Sequence, residues 1–240
     1  MTRRGLAELI AIVAPPACVT CREPLGRADE LICPACLRAL PWLRGWRCER
    51  CGLPRHRHGG CPASAAAFAR SWAPMSYEGP ARGLVQALKF RAALPVAGLM
   101  AAQIAATLPA ELRAAAVVAV PAQPARRRAR GFDPAGTLAR ALAGRLELPL
   151  APVLSRHDRA ARQGRAGRAA RRAAGRIIIR SDSAPAASVL LVDDVHTTGA
   201  TLDACASALV AAGVARVLAV TYARTLQGGE SRARTRSTVD

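Results

Sequence analysis

Cysteine spacing is the feature of this chain that most constrains its fold. Seven of the eight cysteines precede residue 62, and six of them form three C-x-x-C pairs. Two intervening residues let both thiolates of a tight turn point at one centre, and two such turns supply the four sulfurs of a tetrahedral zinc site. The first two pairs are separated by eleven residues, which is the spacing of a zinc ribbon. The predicted ligands of this first site are Cys18, Cys21, Cys33 and Cys36.

A second and less complete ligand set follows in the chain. It offers three sulfurs, those of Cys48, Cys51 and Cys61. Ser64 stands where a cysteine would complete a further C-x-x-C pair with Cys61. A neutral imidazole is a common zinc ligand, so either His56 or His58 supplies the fourth donor, and we take His58 as the candidate. Alternatively, this half carries no metal and its loop is held by packing alone. The sequence thus predicts one or two bound Zn2+ ions.

The chain is strongly basic, with a formal net charge of +19, and Lys89 is the only lysine among its 35 basic residues. We interpret the arginine bias partly as base composition, so the charge favours anionic partners without indicating nucleic acid. The longest N-terminal apolar stretch, residues 6–16, is shorter than the roughly 18 residues of a membrane span. Without an export signal or a span, we expect a cytoplasmic protein with thiol rather than disulfide chemistry.

Helical and strand patterns alternate after the cysteine-rich part. Short apolar runs at residues 116–120, 188–192 and 216–222 are suited to buried strands, and apolar residues recur at helical spacing between them. This alternation predicts an α/β fold, a parallel sheet with crossover helices, preceded by a small zinc-ribbon module. Residues 63–73 are predicted to bridge the two parts.

The expected domain organisation has three parts. An N-terminal helix and a double zinc ribbon take residues 1–65, and the α/β domain takes residues 70–226. The polar, arginine-rich residues 227–240 are expected to be a disordered tail.

The stretch from Val189 to Thr201 has the residue order of an anion-binding turn. Four apolar residues precede two acids, and a hydroxyl-rich turn then leads into a predicted helix. Backbone N–H groups at such a turn point at a common centre, and the helix N-terminus favours an anion. We call this turn the phosphate cup; it consists of Thr197, Thr198, Gly199, Ala200 and Thr201.

The two acids before the phosphate cup lie where a sugar attached to a bound phosphate would sit. Asp193 and Asp194 can accept hydrogen bonds from vicinal hydroxyls or help to hold Mg2+, and we take them as the candidate catalytic residues. Alternatively, they only cap the helix. His196 stands within the same stretch, and an imidazole there can act as an acid or base near neutral pH.

Basic side chains elsewhere are candidates for a second anionic group. Lys89 follows a predicted helical face and can reach a pyrophosphate as a compact charge, or it is a solvated helix-end cation. Arg126 to Arg130 follow a predicted strand, and guanidinium groups bind phosphate oxygens bidentately; Arg130 is the candidate. Arginines recur at every third position from Arg156 to Arg171, which forms no single helical face. We interpret that segment as a mobile basic loop that closes over the site, or as a plain linker.

The acids and the phosphate cup together resemble the phosphoribosyl-pyrophosphate-binding motif of type I phosphoribosyltransferases. Flanking residues narrow the resemblance to the ComF family, over about residues 18–224. The residues that carry it are Tyr77, Gly79, Arg82, Leu88-Lys89-Phe90, Val120-Pro121, Arg130-Gly131-Phe132, Gln163 and Arg171. The chain departs from the family at Asp133-Pro134, where Asn-Gln is usual, and at Ala119 and Ala174, which replace a proline and an asparagine.

ComF proteins join a double zinc ribbon to a phosphoribosyltransferase-like domain. The resemblance therefore implies the type I phosphoribosyltransferase fold, a glycosyltransferase-class enzyme, and phosphoribosyl pyrophosphate bound with Mg2+. For some members it implies a role in competence, the uptake of transforming DNA. The departures affect the base or pyrophosphate side of the site.

Two hypotheses about function follow. In the first, the chain transfers a phosphoribosyl group, with Lys89 and Arg130 on the pyrophosphate. In the second, it is a non-catalytic adaptor that binds single-stranded DNA or a protein partner such as a DNA-uptake helicase, and the phosphate cup senses a nucleotide. Only 3% of the residues are aromatic, although Trp42 and Trp46 lie between cysteine pairs and can stack on bases.

Overall fold

The fold was analysed in a computed structural model, which describes residues 16–27, 29–56, 60–157, 178–181 and 183–226. The strands are β1 (Arg70–Trp72), β2 (Met75–Ser76), β3 (Ala116–Ala119), β4 (Leu154–His157), β5 (Ile178–Ser181), β6 (Ser188–His196) and β7 (Arg216–Arg224). The helices are α1 (Pro34–Arg38), α2 (Gly79–Arg91), α3 (Pro95–Thr107), α4 (Pro124–Arg130), α5 (Pro134–Leu146) and α6 (Ala200–Ala211). A 3-10 turn covers Ala110–Leu112.

The main sheet is parallel, with the strand order β1-β7-β6-β3, and β2 continues along β7 beyond β1. Strand β6 pairs with β3 on one side and with β7 on the other. Helices α4 and α5 lie between β3 and β6 in sequence, and α6 connects β6 to β7. The α/β class with a parallel sheet and crossover helices, preceded by a zinc-binding module, is therefore confirmed. In a parallel sheet the carboxyl ends of β3, β6 and β7 meet at one edge, so the loops after them lie together.

Apolar layers cover both faces of the sheet. Leu190 and Val192 of β6 face a layer that includes side chains of α2, α3 and α5. Val189 and Leu191 face the opposite layer, which contains α6. This alternation follows from the period of two in a strand. A central strand covered on both faces reads as a continuous apolar run, which is why residues 188–192 were predicted as a strand. Burying each of these side chains contributes about 1.5–3 kcal/mol.

Two parts of the structure differ from the sequence-based expectation. Strand β1 lies inside residues 63–73, which were predicted as a bridge, and it pairs with β7. Strands β4 and β5 form an antiparallel pair, so Arg156 stands on a strand rather than in a loop. Most of the proposed arginine-rich loop, residues 158–177, lies outside the described residues. The predicted N-terminal helix before residue 16 and the tail at 227–240 lie outside them too.

Arg126 and Arg130 stand on the short helix α4. Pro124 begins this helix, where its missing N–H costs nothing, and Gly131 ends it with φ of 77°. The longest described helices have 13 residues, and none is long and apolar enough to cross a membrane.

Candidate functional site

The first metal cluster brings together the four predicted cysteines. The sulfurs of Cys18, Cys21, Cys33 and Cys36 all lie within 4.8 Å of one another, and those of Cys21 and Cys33 are 3.7 Å apart. A tetrahedral zinc ion with Zn–S bonds of about 2.3 Å places its sulfurs about 3.8 Å apart. The donor set and its spacing therefore fit a structural zinc site.

Backbone N–H groups of this cluster donate to its sulfurs and so favour their thiolate forms. The N–H of Cys36 donates to Cys33 Sγ at 3.4 Å, and the N–H of Cys33 donates to Cys18 Sγ at 3.3 Å. Burial raises the pKa of Cys18, but its hydrogen bonds with Thr20 and with backbone groups outweigh burial and lower the pKa to about 5. Burial raises the pKa of Cys36 to about 12. A divalent cation at the centre favours thiolates, and such coupling makes metal binding part of folding.

The second metal cluster consists of Cys48, Cys51, His56 and Cys61, whose ligand atoms also lie within 4.8 Å of one another. Cys48 Sγ and Cys61 Sγ are 3.8 Å apart, and Cys51 Sγ is 3.2 Å from His56 Nε2. The structure thus brings His56 to the fourth position, while His58 lies outside the described residues. Three thiolates and one imidazole form a common zinc-binding set. Together the two clusters fit one or two Zn2+ ions.

The second metal cluster is embedded in the α/β fold. Cys51 and Leu53 are buried in the apolar layer that covers the α6 face of the sheet. Glu49 forms an ion pair with Arg70 of β1. Gly52 has φ of 72°, and a Cβ built on it would lie 2.7 Å from the carbonyl oxygen of Ser71. Glycine is therefore required for this close approach of the cysteine turn to β1.

The phosphate cup has the strand–turn–helix geometry that its sequence predicts. Strand β6 ends at His196, and α6 begins at Ala200. Gly199 precedes the helix with φ of 86°, and a Cβ there would lie 2.8 Å from His196 Nε2. The Thr198 hydroxyl accepts a hydrogen bond of 3.4 Å from the N–H of Ala200. The first N–H groups of this 12-residue helix have no partner within the helix, so the turn is suited to an anion.

A cavity of about 320 Å³ collects most of the candidate side chains. Its lining includes candidates from α2, α4, the end of β6 and the phosphate cup: Lys89, Arg130, Asp193, Asp194, Thr197 and Thr201. Thr198, Gly199 and Ala200 are not among the lining residues. Arg126, Asp133 and Arg156 also line this cavity, and a second cavity of about 610 Å³ shares Asp133 and Arg156 with it. The two cavities therefore adjoin at this edge of the sheet.

The two acids at the end of β6 have different electrostatic surroundings. Lys89 Nζ lies 2.7 Å from Asp194 Oδ1, and the Asp194 side chain is only 8% exposed. Asp193 Oδ1 accepts a hydrogen bond of 2.8 Å from the N–H of Asp194. Burial, and next the charge of Asp194, raise the pKa of Asp193 well above its ordinary value. Hydroxyl donors or a cation near Asp193 would favour its ionised form.

Arg130 is held at the cavity rim by an aromatic side chain. Its guanidinium carbon lies 5.1 Å from the centre of the Phe90 ring, which is otherwise exposed. Asp133 lies nearby and caps α5, because its carboxylate accepts from the N–H of Gly136 at 3.2 Å. The same carboxylate accepts from the N–H of Ala122, before α4, at 3.3 Å. Neither the contact of Phe90 with Arg130 nor the cap by Asp133 was predicted from the sequence, in which Asp133 stood only as a departure from the ComF pattern. The Asp-Pro order, which is typical of a helix start, was the available signal for the cap.

His196 lies behind the phosphate cup rather than in the cavity. Its side chain is buried, its Nδ1 is 2.7 Å from Ser71 Oγ, and the Phe68 ring contacts it edge-on. Burial, and next the charge of Arg224, lower its pKa to about 3. A histidine with this pKa is neutral at physiological pH, so we assign it no role in proton transfer.

Comparison with known families identifies the N-terminal part. Residues 9–65 match the family model of the double zinc ribbon domain, a range that contains all seven N-terminal cysteines. No curated protein matches the chain. The two metal clusters and the family match thus agree on a double zinc ribbon that precedes an α/β fold.

Proposed function

We propose that this chain is a phosphoribosyltransferase-like protein of the ComF type that binds phosphoribosyl pyrophosphate with Mg2+. The observation that carries the proposal is the 320 Å³ cavity, where two acids, two cup hydroxyls and two cations from separate elements meet. The proposed organisation is a double zinc ribbon at residues 1–65, a catalytic domain at 70–226 and a tail at 227–240. The proposed location is the cytoplasm.

The phosphate cup is suited to the 5′-phosphate of the ligand. Backbone N–H groups at the start of α6 and the Thr197 and Thr201 hydroxyls can donate to its oxygens, and the helix dipole adds a favourable field. Asp194 and Asp193 stand three and four residues before the cup, within reach of the ribose hydroxyls. Their acceptance of those hydrogen bonds orients the sugar.

The basic side chains of the same cavity are suited to the pyrophosphate. Lys89 and Arg130 line the cavity, and Arg126 and Arg156 add further positive charge. In the transfer, the bond between C1′ and the pyrophosphate oxygen breaks, and the leaving group takes the electron pair. The lone pair of an acceptor nitrogen forms the new bond to C1′, and the proton of that nitrogen passes to water. The cations stabilise the charge that develops on that leaving group. Bound Mg2+ would supply further charge neutralisation, and the 610 Å³ cavity offers room for the acceptor.

A thermal-shift experiment tests the proposal. Phosphoribosyl pyrophosphate with Mg2+, at about 100 times its Kd, should add about 2.7 kcal/mol to the stability of wild type. This corresponds to a rise in Tm of roughly 5–10 °C for a chain of this size. The double variant Asp193→Ala/Asp194→Ala should lose the rise, whereas Asp29→Ala, which removes an exposed acid in the ribbon, should keep it. An equal rise in the double variant would refute the proposal.

A second candidate function, the competence adaptor that binds single-stranded DNA, is favoured by one surface observation. The Trp46 side chain is 73% exposed on the ribbon and Arg44 beside it is also exposed, so a base can stack there. Affinity for single-stranded DNA should fall steeply with salt and drop severalfold in Trp46→Ala. Leu37→Ala, which removes another exposed apolar side chain of the ribbon, is the matched control. Equal affinity of both variants would exclude stacking by Trp46.

A further inference from the structure

A chain of buried contacts connects the second metal cluster to the phosphate cup. It begins at Gly52, directly after the ligand Cys51, and continues through Ser71 of β1 and His196 of β6 to Gly199 of the cup. The central pair is distant in sequence, because Ser71 and His196 are 125 positions apart. This contact therefore exists only in the folded protein.

The two outer steps of this chain leave no room for a methyl group on the glycine, and the central step is a hydrogen-bond distance. A Cβ on Gly52 would lie 2.7 Å from the Ser71 carbonyl oxygen, and one on Gly199 would lie 2.8 Å from His196 Nε2. Between them, Ser71 Oγ and His196 Nδ1 are 2.7 Å apart. Ser71 is 4% exposed and His196 is 2% exposed. In a close-packed interior, a displacement at one end of such a chain moves the other end.

A second, independent connection joins the second metal cluster to α6, the helix that follows the phosphate cup. Arg50, inside the Cys48 to Cys51 turn, donates to the carbonyl oxygens of Ala63 and Ala66 at 2.7 and 2.6 Å. The next residue, Ala67, donates its N–H to Asp203 Oδ1 at 2.7 Å. Asp203 lies in the first turn of α6, directly after the phosphate cup. Side chain and backbone thus tie the second metal cluster to both ends of the cup.

Arg224 adds an electrostatic connection between the same two places. Its side chain is 4% exposed, and its positive charge acts on both Cys51 and His196. Three thiolates around one zinc ion have a net negative charge, which a buried guanidinium compensates.

We propose that Ser71 and His196 are positioning residues that couple the geometry of the second metal cluster to the phosphate cup. Loss of the cluster's geometry then disorders the cup N–H groups and weakens anion binding. The inference rests on the proposed function for the identity of the anion, but the coupling itself is a property of the fold. Coupling between such sites is typically 5–150-fold in affinity, and we expect about tenfold here.

The first metal cluster provides the matched control. The described contacts of this half of the ribbon are with α2. A Cβ built on Gly83 of α2 would lie 2.9 Å from Thr20 Cβ, and the Arg91 side chain donates to the Val19 carbonyl oxygen. Cys36 and Cys61 are both partly exposed ligands, one in each cluster. Substitution of each by serine removes one partly exposed sulfur.

Hydrogen–deuterium exchange on the full-length protein tests the coupling without any ligand. In Cys61→Ser, peptides that cover residues 197–201 should exchange severalfold faster, while peptides from α3 keep their protection. In Cys36→Ser, the cup should exchange as in wild type. Equal cup exchange in the two variants, whether fast or slow, would overturn the proposal.

Variants of the connecting pair distinguish positioning from general destabilisation, and they serve if Cys61→Ser does not fold. His196→Ala should speed exchange at the cup and weaken binding of phosphoribosyl pyrophosphate about tenfold. His196→Asn, whose amide can still hydrogen bond to Ser71, should restore most of both. If wild type does not bind phosphoribosyl pyrophosphate, the proposed function is wrong, but the hydrogen–deuterium exchange data still test the coupling. If it binds and His196→Ala exchanges and binds like wild type, the coupling is wrong.

Discussion

The two halves of the zinc ribbon have similar ligand spacing but different surroundings. Around the first metal cluster, Cys18 and Cys33 share a small apolar cluster with Leu25. In the second, Cys51 and Leu53 belong to the apolar layer beneath the sheet, together with side chains of β6 and α6. The spacing of the cysteines in the sequence thus determines which residues bind the metal. The packing around each cluster determines which part of the fold the metal stabilises. The first cluster holds a module together, and the second holds that module to the sheet.

The largest effect should come from removing one fully buried sulfur in each half. Cys18 and Cys51 are both 0% exposed. Cys51→Ser should lower the free energy of unfolding of the sheet by more than about 4 kcal/mol, because it removes a metal ligand and places a hydroxyl in the core. Cys18→Ser should release zinc but leave the sheet transition nearly unchanged. Urea unfolding followed by far-UV circular dichroism, with zinc analysis, measures both, and equal losses would contradict the comparison.

A smaller effect isolates the contact between the second half and β1. Gly52→Ala should cost about 2–3 kcal/mol, because the residue has φ of 72° and its Cβ would collide with the Ser71 carbonyl. Gly45 has φ of 78° but nothing within 4 Å of a built Cβ, so Gly45→Ala should cost only about 1–2 kcal/mol of backbone strain. The difference in urea midpoint between the two variants measures the cost of the collision with the Ser71 carbonyl. Identical costs would show that the second half is not held against β1.

The smallest effect concerns the acid beside the cup. The pKa of Asp193 is raised in the folded state, so the folded protein binds more protons than the unfolded chain between the two pKa values, and stability falls as pH rises through that window. Asp193→Asn should therefore raise Tm at pH 7 relative to wild type, with the gain vanishing near pH 4. The same substitution in the Cys18→Ser background should give the same gain, because the first half contributes no described side chain to the cavity that Asp193 lines. A melting series across this pH range checks both statements.

Features that depend on local spacing could be predicted from the sequence, and features that depend on distant pairing could not. The first ligand set follows from two C-x-x-C turns, and strand β6 follows from a continuous apolar run before two acids. Strand β1 was missed because three residues, Arg-Ser-Trp, have no measurable period, and only their pairing with β7 makes them a strand. His56 and His58 are equivalent in sequence, so the choice of His56 comes from tertiary position.

The candidate site divides in the same way. The phosphate cup, the acidic pair and the two cations were predicted from motifs, and the structure places six of these residues around one cavity. The Ser71 contact with His196 has no sequence signal, since neither residue belongs to a recognisable pattern with the other. Such supporting contacts are set by packing between elements.

The pairing of β1 with β7 also determines the order in which the protein can be completed during synthesis. Arg70 pairs with Leu218, so the second half of the ribbon reaches its final surroundings only after nearly the whole chain has left the ribosome. At about 5–20 residues per second, the wait is roughly 7 to 30 seconds. Over that interval, the first zinc-binding half can already be assembled, while the buried cysteine of the second half remains open to zinc and to oxidants. The contact between the second half of the ribbon and the sheet is therefore the last part of the fold to form.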